Sequence, residues 1–469
     1  MKRGSTVACF IPRHMAVILL LGFAMELRAA EPVTIVAGPM FTVTGKDEIT
    51  VWLQTNRPAR LRFETHCHWM GKDDRDAFDA AASNRSCVTL KLKVRAGAIY
   101  GLKVYEKQTA SEASTANAEP IICLAYRCPP PDGKSGLSTF AFGSCSHQEK
   151  FGDSQPIWTA IAKERPDCFL FIGDNIYLPN RASDYQATRE EVLRLYCDTY
   201  DRERRVPEMQ SLLRSTMSFA LWDDHDYGPN NSDRTWPWKD VALEALKLYF
   251  PNNYGLPDAP GCYYRFAWGD IDVFMLDDRT YRDPNRDENR TTFLGARQLA
   301  WLKDGLAASK STFKLVACGN QILSDTHPHE SWGVQFRPER DAFLDWLWEK
   351  KITGVLFVAG DRHFAELVRK PDPKKRGPDL WELTSSPLAN DHYKDGPSFK
   401  NPERVACYAG GVNYGLLEFN TVSIPERATL SIKDVKGATV FQRTITLQGQ
   451  ELGEPPSTRK PPAPDLPPR

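Results

Sequence analysis

Six short apolar runs constrain this chain more than any other feature: "FAF" at 140, "CFLFI" at 168, "FALW" at 219, "VFML" at 273, "KLVAC" at 314 and "VLFVA" at 355. Each is too brief and too uniformly apolar to be the stripe of an amphipathic helix, so each reads as a strand buried on both faces. Helical patterns separate several of them. "SQPIWTAIAKE" offers Ser154 as a cap and Pro156 in the first turn, and sets Ile157, Ala160 and Ile161 on one face. Strand, helix, strand units of this kind predict an α/β domain over residues 136–450.

The residues after each run point to chemistry. The runs lead into Gly143-Ser144-Cys145, Gly173-Asp174-Asn175, Asp223-Asp224-His225-Asp226, Asp277-Asp278-Arg279, Gly319-Asn320-Gln321 and Gly360-Asp361-Arg362-His363. Sites in α/β sheets are built at the carboxyl ends of strands. Gly, Asp and Asn also end strands simply because they make turns. Six such junctions together, two of them joining histidine to aspartate, exceed what turns require.

"LWDDHDYGPNN" at 221–231 is the densest of them, with three carboxylates and an imidazole in four positions. An exposed loop can carry such a run because hydrated charges are cheap. The same residues are also what holds cations beside a general acid, since hard oxygen ligands suit metals and imidazole titrates near neutrality.

Residues 31–135 have a different rhythm. "EITVWLQT" and "VTLKLKV" alternate, as do Tyr100, Leu102 and Val104, which predicts a small immunoglobulin-like β-sandwich before the linker "RCPPPDGKSG". Near the other end, residues 414–449 read as strands with a hairpin turn at Lys436 and Gly437. Residues 451–469 are a proline-rich tail expected to stay unfolded.

Lys plus Arg (60) equals Asp plus Glu (60), so no global field draws the chain to nucleic acid or an anionic membrane. Residues 1–30 place basic residues before "MAVILLLGFAM" and end in Ala29 and Ala30, a signal for export that is too short for a comfortable membrane span. The expected product is a secreted or periplasmic monomer with no membrane span. Export permits disulfides among Cys67, Cys87, Cys123 and Cys128, but spacing does not fix their pairing. "HCHW" at 66–69 falls in the sandwich and reads as a surface or disulfide context. His327 and His329 in "THPHE" follow a strand end and are candidates to line a cleft.

"GSCSHQ", "FIGDNIY", "LWDDHDYGPNN", "GNQILSD" and "VAGDRHFAEL", flanked by "GDIDVFMLDDRTYR", "LGARQLAWLKDGL" and "ELTSSPLA", together resemble the alkaline phosphatase D (PhoD-like) branch of the metallophosphoesterases. The resemblance runs from about residue 32 to residue 445 and rests on the order of the motifs rather than on any one. It implies a four-layer α/β/β/α catalytic domain that hydrolyses phosphate mono- and diesters with ferric iron and calcium.

Residue by residue, the resemblance places Cys145, Tyr177 and His363 on the ferric ion, Asp174 between the metals, and Asp224 and Asp361 at the divalent site. It makes His225 the proton donor to the leaving oxygen, with attack by a metal-bound hydroxide. Thiolate and phenolate suit a highly charged metal, and oxygen ligands in place of the wider superfamily's histidines favour calcium or magnesium at the second site. Asn175, Arg279, Asn320 and Arg362 are the expected contacts to a small phosphate-ester substrate, with Arg282 a further candidate clamp and Gln321 an alternative to Asn320. A phospholipase D-like or teichoic-acid-type diesterase and a non-catalytic cell-surface binding protein remain the alternatives.

Overall fold

The apolar runs are strands, and they divide between two sheets. Leu137–Gly143, Cys168–Ile172 and Met217–Leu221 run parallel side by side in one; Ile271–Met275, Phe313–Ala317 and Val355–Ala359 do so in the other. These positions come from a computed structural model, which describes residues 31–107, 119–179, 185–326 and 330–453. Parallel neighbours need crossovers. Helices Pro156–Lys163, Ala296–Ala308 and Arg337–Glu349 lie within three of them. The first of these begins with Pro156, as its sequence predicts, but its cap is Gln155 rather than Ser154, and no side chain bonds there.

The uniform apolarity of the runs has a direct explanation. In the second sheet Val273, Met275, Leu315, Ala317, Leu356 and Val358 point into a core shared with the first sheet, while Phe274, Val316 and Phe357 point the other way. That second side packs on Leu302 and Leu306 of one crossover helix and on Phe343, Leu344 and Leu347 of another. Period-two alternation therefore sends every residue to one core or the other. Between the sheets, the rings of Phe219 and Phe266 stack with centroids 3.6 Å apart. The fold is mixed α/β with three sheets.

The N-terminal strands are present and fall into two groups, one of which is bridged to the first catalytic sheet. Ile35–Gly45, Glu48–Thr55 and Cys87–Lys93 extend the first catalytic sheet, which has ten strands, through a parallel bridge from Phe41 to Met217. Arg60–Trp69, Lys72–Ala81, Ile99–Glu106 and Ile122–Arg127 form a separate four-stranded sheet. Tyr126 of that sheet stacks on Phe41 at 4.6 Å, and Trp52 Nε1 donates to Leu248 O at 2.8 Å. The Phe41–Met217 bridge and the Trp52–Leu248 bond thus join this segment to the rest, and Val33 onward is one compact unit.

At the other end, Asn413–Asn420, Arg427–Asp434 and Thr439–Thr446 complete the ten-stranded sheet, with the expected hairpin turn at Lys436 and Gly437. Glu451–Leu452 adds a short strand, two residues into the segment expected to be tail. The signal segment 1–30, the rest of the tail from 454, and His327 and His329 lie outside the described residues. No helix among the described residues is long and apolar enough to cross a membrane.

Candidate metal centre

The six strands bring their C-terminal ends together from two sheets. Two glycines permit the close approach. A Cβ on Gly173, whose φ is +94°, would lie 2.5 Å from Asp223 Cβ, and one on Gly319 would lie 2.6 Å from Asp223 Cγ. Asp223 is therefore wrapped by backbone from both sheets. Cys145, Asp174, Asp361 and His363 all adopt left-handed φ, from 49° to 65°, which non-glycine residues rarely do. Strained residues of this kind cluster where a site dictates side-chain direction.

Among the described residues three clusters with the spacing of metal ligands result, and they share members. Cys145, Asp174 and His363 form the first; Asp174, Asp224 and His225 the second; Asp223, Asp224 and Glu330 the third. Tyr177 joins the first, its hydroxyl 2.9 Å from Asp174 Oδ2 and 3.3 Å from His363 Nε2. Cys145 Sγ lies 3.5 Å from Asp174 Oδ2 and accepts from Ser386 Oγ at 3.2 Å. Asp174 Oδ1 accepts the backbone N–H of His225 at 3.3 Å, so its two oxygens face different clusters. Asp224 accepts from the N–H of His225 at 3.0 Å and of Asn231 at 2.6 Å.

Electrostatics marks the first cluster as incomplete on its own. Burial pushes the Cys145 thiol up to about 11. Burial and then the neighbouring Cys145 and Asp224 push Asp174 well above the usual carboxylate range, and burial followed by Asp174 does the same to the Tyr177 phenol. Asp224 differs. Burial opposes its ionisation, but His225, Arg279 and the Asn231 N–H outweigh burial and hold it below the usual range. Buried groups that repel one another are costly unless a counter-charge sits among them. Thiol, phenol, carboxylate and imidazole atoms converging on one point fit a multivalent cation, which would favour their ionised forms.

The family model for PhoD-like phosphatases matches residues 140–415, a span that holds every member of these clusters. The chain belongs to the PhoD-like phosphatase family. The solved structure of PhoD superposes with a TM-score of 0.69 at 17% identity, over 89% of this chain and 92% of that one. A purple acid phosphatase from yellow lupin (Lupinus luteus) seeds gives a TM-score of 0.61 at 11% identity, over 87% and 74% of the two chains. No curated protein sequence matches the chain.

Within this PhoD-like phosphatase the expected substrate contacts separate sharply. Arg279 and Asn320 are 0% exposed, and their polar atoms are committed to Asp223 and Glu330. Facing no open space, they do not fit the role of substrate clamps. Arg282, also 0% exposed, bonds Asn320 and Gln335 and lies over the rings of Phe293 and Phe336. Asn175 caps inward, its N–H on Asp226 and its side chain on Leu221 O. Gln321 bonds Glu366 and Thr384.

Arg362 alone keeps a free nitrogen, the buried Nε, while its Nη1 donates to Asp361 at 3.2 Å. Asp361 pairs with Arg362 and belongs to none of the three clusters among the described residues. Tyr177, His225, Asp361 and His363 are the half-buried residues of the site, while Cys145, Asp174 and Asp224 are buried.

Sequence reasoning missed Glu330 and His147. Glu330 ends "THPHE", a stretch in which the two histidines are the more obvious ligands. His147 stacks on Tyr177 at 4.5 Å, with His225 at 4.2 Å from the same ring. Its two-residue spacing from Cys145 in "GSCSHQ" was the available hint. His66 and His68 lie at the surface beside Asp73 and share no residue with the clusters.

Proposed function

We infer that this protein is an exported, metal-dependent hydrolase of phosphate esters. The observation that carries the reading is the adjoining pair of clusters sharing Asp174, one with thiol and phenol ligands and one with oxygen ligands beside a histidine. Cys145, Asp174, Tyr177 and His363 would hold a hard, highly charged cation such as ferric iron. Asp174 and Asp224 would hold a divalent ion such as calcium, with Asp361 at its edge. Cations held there supply charge neutralisation for the phosphoryl oxygens and acidify water, the two needs of ester hydrolysis near neutral pH.

The chain's own residues do the rest. The backbone of His225 is anchored by N–H bonds to Asp174 and Asp224, and its ring rests against Tyr177. Its Nδ1 has no hydrogen-bond partner among the described residues. That unpartnered Nδ1 is buried, so it is the half-buried imidazole as a whole, fixed against Tyr177, that is taken to protonate a leaving oxygen. Arg362, 7% exposed where Arg279 and Arg282 are 0%, is the cationic side chain taken to hold a phosphate oxygen. Export rests on the N-terminal sequence alone.

The reading is tested by following hydrolysis of p-nitrophenyl phosphate and bis-p-nitrophenyl phosphate before and after exhaustive chelation. Turnover of at least one ester, lost on chelation and restored by metal, is expected. Inactivity toward both esters under every metal condition would contradict it, and the ratio of the two rates sets mono- against diester preference.

A further inference from the structure

We propose that Arg279 serves as a built-in cation in the third carboxylate cluster, so that the chain takes metal ions at the two positions sharing Asp174 and none between Asp223 and Glu330. This rests on the metal-dependent reading above and extends it to the number of cations. By the spacing of their oxygens alone, Asp223, Asp224 and Glu330 are as good a set of ligands as the other two clusters. What distinguishes them is what already lies between them.

The guanidinium of Arg279 spans the cluster. Its Nε donates to Asp223 Oδ1 at 2.6 Å, its Nη2 to Glu330 Oε2 at 2.5 Å, and its Nη1 to Ser232 O at 3.3 Å, while Asp224 Oδ1 is 4.0 Å from Nη2. The amide of Asn320 donates to Asp223 Oδ2 at 3.1 Å and to Glu330 Oε2 at 3.3 Å. Arg282 adds a second positive charge 3.6 Å from Glu330. Asp278 Oδ1 lies 3.7 Å from Arg279 Nε, so four carboxylates meet two guanidiniums with no solvent access, since Arg279, Arg282 and Asn320 are 0% exposed.

A calcium ion needs six to eight oxygens, usually including water, and none of that space is left. Guanidinium remains charged at all working pH values and matches two carboxylates at once, which an ion exchanging with solvent does not guarantee. The arrangement also serves the neighbouring cluster. With its positive charge fixed beside Asp224, Arg279 helps keep that carboxylate ionised for a cation on its other side.

Calcium binding to chelator-stripped protein, counted by equilibrium dialysis with elemental analysis and with folding checked by circular dichroism, tests the proposal. Arg279→Gln removes the charge and opens the cluster, so it should bind one calcium more per chain than wild type. Glu330→Gln should bind the same number as wild type, because Glu330 is taken by arginine. A folded Arg279→Gln with an unchanged count, or Glu330→Gln with one calcium fewer, overturns the proposal. If Arg279→Gln does not fold, the Glu330→Gln count decides alone: unchanged supports, one fewer overturns. Wild type that binds no cation overturns the metal-dependent reading as well, whereas wild type that binds while Arg279→Gln gains nothing overturns this inference only.

Discussion

The two flanks of Asp224 solve the same electrostatic problem in opposite ways. On one flank Asp223 and Glu330 are buried with Arg279 and Arg282, and the charge is balanced by residues of the chain itself. On the other, Cys145, Asp174, Tyr177 and His363 are gathered with no positive side chain bonded to any of them among the described residues; burial raises Asp223 on the first flank as it raises Asp174 on the second, so the counter-charge is what separates the two. The difference teaches which part of a buried acidic cluster is structure and which part awaits a partner. A cluster closed by arginine is finished when the chain folds; one without a counter-charge is finished by a cation.

The largest effect should come from breaking the unfinished flank. Asp174→Asn removes the residue common to two clusters, and ester hydrolysis should fall by about 10³-fold or more, several kcal/mol of lost charge stabilisation. Bound metal should fall with it, as read by elemental analysis. Retained metal and rate would mean that Asp174 does not bridge.

A smaller loss should follow at the junction between the flanks. His225→Gln should slow hydrolysis by about 10²-fold or more while leaving metal content near wild type. The loss should be steeper for an alkyl phosphate than for p-nitrophenyl phosphate, whose leaving group needs no proton. Equal losses on both, with metal lost as well, would make His225 a ligand rather than an acid.

Sequence reading reached the members of the unfinished flank, and on the finished one it named Asp223, Arg279, Arg282 and Asn320 but not Glu330 or the inward role of the arginines, for physical reasons. Cys145, Asp174, Asp224 and His363 each follow an apolar run, and in parallel sheets such positions share an edge whatever the partners are. Glu330 stands well past the run that precedes it, so only the three-dimensional path brings it to Asp223. Arg279 was placed correctly at a strand end, but its direction, into the protein rather than toward substrate, depends on carboxylates from the opposite sheet. In the same way, alternation in "EITVWLQT" revealed a strand and its faces but not its sheet, because period two says nothing about which strand lies alongside. The bridge from Phe41 to Met217 was therefore out of reach.

The smallest effect expected lies just outside the metal centre, at a carboxyl that neither flank neutralises. Burial pushes Glu203 up to about 8 from an ordinary 4.5, although the Gln148 N–H, nearby Arg204 and the Ser146 hydroxyl at 3.1 Å all favour its charged form. The unfolded chain releases this proton near pH 4.5 and the folded chain holds it to about 8, so its contribution to stability falls as pH rises between those values. Glu203→Gln should remove that fall and stabilise the protein at pH 9 by about 1–2 kcal/mol. Denaturant midpoints at pH 5 and pH 9 measure it. Because the effect involves no cation, it should persist in the presence of chelator.

The most direct test of the contrast between the flanks is the metal content of wild-type protein purified without added metal, paired with its melting temperature with and without chelator. Expected are two cations per chain, one of them iron, and a melting temperature that drops when they are removed. Protein free of metal that hydrolyses phosphate esters and melts at the same temperature in chelator would contradict the account.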